Sequence, residues 1–258
     1  MIKTVKSYFS TEPKIPLYTH KYIIIPDLHG IYSIYKKVED YIKNETTDDR
    51  KIIFLGDYVD RGEGGEVHGK EFKDAGSYFI VRDLIKLKKW AEDNKREIIF
   101  LRGNHEIFYE DHYIKNNKTI YKDYKFLIDA MECFDYVFEK EPDFYDLFID
   151  FLENLRPYYI DEDYKYLFVH AGIDPENKNL QQQVDSGLIY WIRDKFLFST
   201  KELDYTVVFG HTPFIKPFMR KDKIGLDSGV YKRDYLNMLL IDNYNSKIIQ
   251  LHKGNSKL

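Results

Sequence analysis

The chain has 258 residues, a formal net charge of −4 and a single cysteine, Cys133. One cysteine excludes an intrachain disulfide and is typical of the reducing cytoplasm, which is the localisation we predict. The mixture of acidic and basic residues argues against an extensive nucleic-acid surface, and no window approaches the ~20 apolar residues of a membrane-spanning helix. No Pro-, Gly- or Ser-rich linker divides the chain, so we predict one domain over residues 1–258.

Short apolar runs rich in Ile, Val, Phe and Tyr predict buried strands. We expect the last two strands to form a hairpin whose turn is Asn243–Tyr244–Asn245. In chain order the predicted strands are Tyr22–Ile25, Lys51–Leu55, Glu97–Leu101, Tyr166–Val169, Tyr205–Phe209, Leu236–Ile241 and Lys247–Leu251.

Stretches of helical period alternate with the first strands. Apolar residues at three- and four-residue spacing predict helices over about 31–42, 81–90 and 144–155. The last of these ends a mostly helical stretch that begins near Ile107. The order strand–helix–strand–helix–strand predicts βαβ units, and therefore parallel strands, in the first half of the chain.

The segment Glu63–Gly76 lacks periodicity and is rich in glycine and charge. Segments of this composition are usually functional or mobile loops. We predict that it forms a mobile loop beside the substrate cleft, because it directly follows a polar motif at a strand end.

Polar motifs follow five of the predicted strands. Functional sites of open α/β sheets form outside the carboxyl ends of the strands, so we expect these motifs to meet. Each motif combines a metal-ligand type of side chain with glycine, which allows sharp turns and close backbone approach. Each motif is weak evidence alone, but all five in this order indicate a functional site. They are Pro26–Gly30, Gly56–Gly62, Arg102–Glu106, His170–Gly172 and Gly210–Pro213.

Together the five motifs resemble the signature of the phosphoprotein phosphatase family of calcineurin-like metallophosphoesterases, in its compact bacterial and phage form. Trp191–Phe196 and Leu226–Gly229 extend the resemblance, which covers the chain from about Tyr22 to Ile241. It implies an α/β fold, the calcineurin-like αββα sandwich, with two mixed β-sheets packed face to face and flanked by helices. Tyr231–Lys232–Arg233 departs from the glycine pair that is usual in bacterial members.

The resemblance implies two divalent metal ions. Mixed carboxylate, imidazole and amide ligands suit Mn²⁺, which we expect, or Fe or Zn²⁺ as alternatives. The implied ligands are Asp27, His29 and Asp57 for the first ion, and Asp57, Asn104, His170 and His211 for the second, with Asp57 bridging.

Two further roles follow from the resemblance. His105 would be the general acid that protonates the leaving oxygen, and Asp60 would orient its ring. Arg61, Arg102 and Arg193 would bind phosphate, because the guanidinium fork matches phosphate oxygens.

The resemblance implies a phosphatase that hydrolyses phosphate monoesters through in-line attack by a metal hydroxide. We expect a phosphoprotein or a small phosphorylated compound as its partner, and first of all phosphoserine and phosphothreonine in proteins. The motifs do not separate this function from a bis(5′-nucleosyl)-tetraphosphatase or other nucleotide hydrolase, or from an RNA end-processing phosphatase acting on 2′,3′-cyclic phosphate. All ligand positions are filled, which argues against a metal-free binding protein. No regulatory-subunit motif is evident in the sequence.

Overall fold

Two mixed β-sheets lie at the centre of the computed structural model, which describes residues 3–4, 22–44, 50–117, 124–242 and 246–254. In spatial order, the first sheet contains β1 (Lys3–Thr4), β13 (Ser246–His252), β12 (Tyr235–Ile241), β2 (Tyr22–Ile25), β3 (Lys51–Phe54) and β6 (Ile98–Phe100). The second contains β10 (Phe218–Arg220), β11 (Lys223–Gly225), β9 (Thr206–Phe209), β8 (Tyr166–Val169) and β7 (Tyr158–Asp161).

Strands β2, β3 and β6 are parallel neighbours, as the βαβ pattern predicts. Successive residues of a strand point to opposite faces of its sheet. Ile24 accordingly packs with Phe168 and Val208 of the second sheet, whereas Ile23 and Ile25 pack with the helices. Burial on both faces explains why these strands are continuous apolar runs in the sequence.

Helices cover the outer faces of both sheets. The first sheet is covered by the long helices, and a further apolar cluster joins the second sheet to the short ones. The helices are α1 (Tyr32–Asn44), α2 (Gly76–Asp93), α3 (Asn104–Tyr109), α4 (Lys125–Lys140), α5 (Pro142–Glu153), α6 (Leu180–Asp185) and α7 (Asp194–Leu197), with a π-helical turn at Glu110–Ile114 and a 3₁₀ turn at Leu188–Tyr190.

The predicted strands are confirmed, with ends that differ by at most one residue. The three predicted helices are confirmed as α1, α2 and α5. Strands β12 and β13 pair antiparallel as expected, but the predicted turn Asn243–Tyr244–Asn245 lies outside the described residues. One domain for the whole chain stays a prediction. Within the described residues, no helix is long and apolar enough to span a membrane.

The prediction of an irregular loop at Glu63–Gly76 is wrong for its central part. Two short strands, β4 (Gly65–Val67) and β5 (Lys70–Phe72), pair there as an antiparallel hairpin. Val67 and Phe72 are buried in the helical layer, which offsets the low strand propensity of the glycines and charges around them. The mobility of this segment stays a prediction.

Candidate metal centre and active site

The five polar motifs meet at the carboxyl ends of β2, β3, β6, β8 and β9. Asp57 lies in the middle: its Oδ2 is 3.6 Å from His29 Nε2, and its Oδ1 is 3.4 Å from His170 Nε2. The backbone N–H of His211 donates to both carboxylate oxygens of Asp27, at 3.1 Å. The predicted meeting of the motifs is therefore confirmed by the structure.

The backbone turns abruptly at these strand ends. Of the nine non-glycine residues with positive φ in the described part of the chain, five belong to the site, with φ between 44° and 70°. Such conformations cost free energy, of order 1–3 kcal/mol each in sparsely populated regions, and they cluster at functional sites. The five are His29, Asp57, Asp60, Arg61 and His211.

The carboxylate of Glu106 joins two of the motifs. It accepts hydrogen bonds from the backbone N–H groups of Asp57 at 2.9 Å, Tyr58 at 2.8 Å and Gly103 at 2.9 Å. A Cβ atom at Gly103 would lie 2.2 Å from Asp57 Oδ1, so a larger residue there would displace Asp57. Glu106 has no predicted role, although its position three residues after the helix N-cap Gly103 is typical of a capping box.

One cluster of metal-ligand atoms consists of His29, Asp57 and His105, whose ligand atoms lie within 4.8 Å of one another. The Nδ1 of His29 lies 3.1 Å from the carbonyl oxygen of Val59. A carbonyl only accepts, so Nδ1 carries the proton and Nε2 presents its lone pair toward Asp57. The NH1 group of Arg61 lies 3.0 Å from that Nε2, which shows that this position accommodates positive charge.

A second cluster consists of Asp57, His170 and His211. His170 Nδ1 lies 2.9 Å from the carbonyl oxygen of Leu55, so its Nε2 presents a lone pair to the site. The Oδ1 of Asn104 lies 2.9 Å from His170 Nε2 and 2.8 Å from His211 Nδ1. Carboxylate, amide and imidazole acceptors converge here, and this donor set fits a divalent transition-metal ion.

Burial disfavours the charged form of each of these groups. It raises the pKa of Asp27 and of Asp57 well above the usual range, and their mutual repulsion adds to the shift of Asp27. It also lowers the pKa of His170 to about 3, so this ring is neutral at pH 7. A bound divalent ion favours deprotonated carboxylates and neutral imidazoles, which supports a metal centre at this place.

The first cluster contains His105 but not Asp27, which is a predicted ligand of the first ion. Asp27 is buried beside Asp57 and Asp227, whose charges raise its pKa, but it is not among the three residues whose ligand atoms form the first cluster. His105, predicted not to be a ligand, contributes Nε2 at 3.9 Å from Asp57 Oδ2. The ligand role of Asp27 and the acid role of His105 both stay predictions.

His105 is held by a buried carboxylate. Its Nδ1 lies 2.5 Å from Asp60 Oδ2, and Tyr109 donates its hydroxyl proton to Asp60 Oδ1 at 2.5 Å. The backbone N–H of Asp60 donates to Ser77 Oγ at 2.8 Å. Burial raises the pKa of Asp60 to about 8. Neither Tyr109 nor Ser77 lies in the five motifs, although Tyr109 follows His105 by one helical turn on the same face of α3.

The three predicted phosphate-binding arginines differ in their contacts. Arg61 contacts His29 through its NH1 group. Arg193 Nε donates to His211 Nε2 at 3.0 Å. Arg102 instead forms an ion pair with Glu110, at 2.6 Å from Nε to Oε1. Arg61 and Arg193 therefore contact histidines of the clusters, whereas Arg102 is paired with the carboxylate of Glu110.

The family model for calcineurin-like phosphoesterases matches residues 20–249 of the chain. The chain belongs to the calcineurin-like phosphoesterase family. The predicted α/β fold of two mixed sheets flanked by helices is confirmed. Calcineurin-like phosphoesterases are phosphate-ester hydrolases that use divalent metal ions, and the two His/Asp clusters are suited to two ions.

Solved structures of similar fold include phosphatases. A protein described as a candidate diadenosine tetraphosphatase is 19% identical over 93% of this chain and 97% of its own, with a TM-score of 0.60. A cold-active protein tyrosine phosphatase is 16% identical over 94% of this chain and 79% of its own, with a TM-score of 0.59. The cold-active protein-tyrosine phosphatase of a psychrophilic Shewanella species is 15% identical over 94% of this chain and 80% of its own, with a TM-score of 0.53. At these identities the likeness concerns the fold alone. No curated protein matches the chain.

Proposed function

We propose that this calcineurin-like phosphoesterase hydrolyses phosphate monoesters with two metal ions, and that its preferred substrates are phosphoserine and phosphothreonine in proteins. The observation that carries the proposal is the His105–Asp60 pair, 2.5 Å apart, beside two ligand clusters that share Asp57. A residue able to donate a proton thus lies next to a site suited to two cations.

The metal-holding residues would be those that the sequence predicts. Asp27, His29 and Asp57 would hold one ion, and Asp57 would share the second with Asn104, His170 and His211. When bound, two divalent ions supply Lewis acidity toward phosphate oxygens and lower the pKa of an attacking water. We propose Mn²⁺ as the ion and the cytoplasm as the compartment.

His105 would donate its Nε2 proton to the leaving oxygen. Its Nδ1 faces Asp60, so Nε2 is the nitrogen that faces Asp57 and the site. Asp60 would fix the ring orientation and, when ionised, would stabilise the protonated ring against the burial that lowers the pKa of His105. Tyr109 would in turn hold Asp60 in place, because its hydroxyl donates to the second carboxylate oxygen.

Arg61 and Arg193 would bind the phosphoryl group. Guanidinium groups bind phosphate oxygens through paired N–H donors, and both groups already lie at the edge of the clusters. A neutral imidazole has one proton, so if His211 presented the lone pair of Nδ1 to the site, its proton would lie on Nε2, which could no longer accept from Arg193. Arg193 would then be free to donate to phosphate. Arg102 would contribute less, because Glu110 neutralises it.

A positioned general acid favours alkyl phosphates over polyphosphates. The leaving group of a serine or threonine ester is an alkoxide, which needs a proton, whereas a departing nucleotide phosphate is already stable as an anion. The buried support of His105 by Asp60 and Tyr109 therefore supports a monoesterase over a dinucleoside tetraphosphatase.

A substrate panel tests this proposal. Purified protein with Mn²⁺ should be assayed against phosphoserine, phosphothreonine and phosphotyrosine peptides, diadenosine tetraphosphate and 2′,3′-cyclic AMP. We expect the phosphoserine and phosphothreonine peptides to give the highest kcat/KM, by a factor of about ten or more, the energy of roughly one good hydrogen bond to a charged group. Faster hydrolysis of diadenosine tetraphosphate or the cyclic nucleotide would contradict the proposed substrate class. The same assays with excess chelator are the control.

A further inference from the structure

The guanidinium group of Arg61 lies over two aromatic rings. Its Cζ atom is 4.8 Å from the ring centroid of Phe126 and 4.7 Å from that of Tyr231. Its NH1 group reaches the Nε2 of His29 at 3.0 Å. Among the described residues, no carboxylate forms an ion pair with Arg61, whereas Glu110 forms one with Arg102.

The same two rings contact the histidines on either side. Tyr231 packs edge-to-face on His29, with centroids 4.9 Å apart, and Phe126 packs on His105 at 5.3 Å. Phe126 lies on α4 and Tyr231 lies between β11 and β12, so both are outside the five motifs. Both rings are thus features of this chain that the motifs do not predict.

The backbone on both sides of Arg61 is also fixed. The N–H of Asp60 donates to Ser77 Oγ at 2.8 Å, and the N–H of Gly62 donates to Asp74 Oδ2 at 2.9 Å. Hydrogen bonds therefore hold the base of the Arg61 side chain, and the two rings hold its end.

We propose that Phe126 and Tyr231 are positioning residues that orient the Arg61 guanidinium for phosphate; this rests on the proposed function. The ring faces attract a cation without neutralising it, whereas a carboxylate partner would compete with the phosphate. A guanidinium ordered beforehand loses less conformational entropy when substrate binds. If Arg61 binds the transition state more strongly than the ground state, disorder at this position lowers kcat more than it raises KM.

Three single variants and one background test the inference. Tyr231→Leu and Phe126→Leu should each lower kcat on a phosphoserine peptide by about 3–30-fold, the range of cation–π energies, with a smaller change in KM. Tyr231→Phe keeps the ring face and should stay near the wild-type values. Calorimetry should show weaker binding of inorganic phosphate for Tyr231→Leu and Phe126→Leu, and unchanged binding for Tyr231→Phe. In an Arg61→Ala background, the two leucine changes should lower kcat by less than about twofold further, since residues acting as one unit are not additive.

The matched control is Phe79→Leu. The guanidinium of Arg82 lies 5.1 Å from the ring centroid of Phe79, so this change also removes a ring beside an arginine, and that ring packs on Tyr32 and Tyr78. Its kinetics should be unchanged. The inference is wrong if the leucine variants bind phosphate and turn over normally, or if their losses are equally large in the Arg61→Ala background. A wild-type protein that hydrolyses no phosphate monoester would refute the proposed function instead, and phosphate calorimetry would still decide the role of the rings. If either leucine variant fails to fold, the other, with Tyr231→Phe, decides.

Discussion

Asp57→Asn is expected to abolish turnover and to weaken both metal sites together. Its two carboxylate oxygens face different clusters, one toward His29 and one toward His170. Asparagine has nearly the same shape but no charge and one oxygen, so two cations would lose their shared counter-charge. We expect metal content to fall from two ions per chain to fewer than one after dialysis, and kcat to fall by about 10³-fold or more, as for the loss of a group that acts only with its partners.

A buried carboxylate outside the site provides the control. Asp161 is buried and accepts hydrogen bonds from the backbone N–H groups of Asp163 and Tyr164, both at 3.1 Å. Asp161→Asn should keep two ions and near-normal kcat even if stability decreases. If Asp57→Asn retains two ions and near-normal turnover, Asp57 does not bridge the metals.

His105→Asn is expected to lose activity in proportion to how poor the leaving group is. A serine alkoxide needs a proton to depart, whereas a nitrophenolate departs unaided. The variant should lose about 10²–10⁴-fold in kcat on a phosphoserine peptide, the usual range for acid–base catalysis, and far less on nitrophenyl phosphate. The measurement is kcat on both substrates, with metal content determined for each preparation.

Asp60→Asn provides the comparison for His105. Because Asp60 contacts the ring at 2.5 Å but would act through it, this variant should show the same selectivity more weakly. Equal losses on the two substrates, with both ions retained, would mean that His105 binds phosphate or shapes the site. A loss of metal in His105→Asn would instead make it a ligand of the cluster that it forms with His29 and Asp57.

The fold around the site can be predicted from the sequence where burial dominates. Strands β2, β3 and β6 bury both faces, so their composition alone identifies them, and the motifs that follow them must meet at one edge. The hairpin of β4 and β5 cannot be predicted in this way. Its local composition favours a loop, and it forms because Val67 and Phe72 reach a helical layer distant in sequence.

The supporting contacts of the site are less predictable than its ligand-type residues. Tyr109 reaches Asp60 across 49 positions of the chain, and Phe126 and Tyr231 both contact Arg61 although they are distant in sequence. Such contacts depend on how α3, α4 and the segment after β11 pack, which no local pattern encodes. The sequence thus predicts candidate residues for the chemistry, and the tertiary structure determines which residues contact them.

Titration of metal-depleted protein with Mn²⁺ tests the central claim most directly. The quantity to measure is the initial rate of phosphate release from a phosphoserine peptide at each ratio of metal to protein. Because both clusters share Asp57, we predict no turnover without metal, little with one equivalent, and a plateau once two ions are bound per chain. Full turnover in the metal-free protein, or a plateau at one equivalent, would contradict a two-metal phosphomonoesterase.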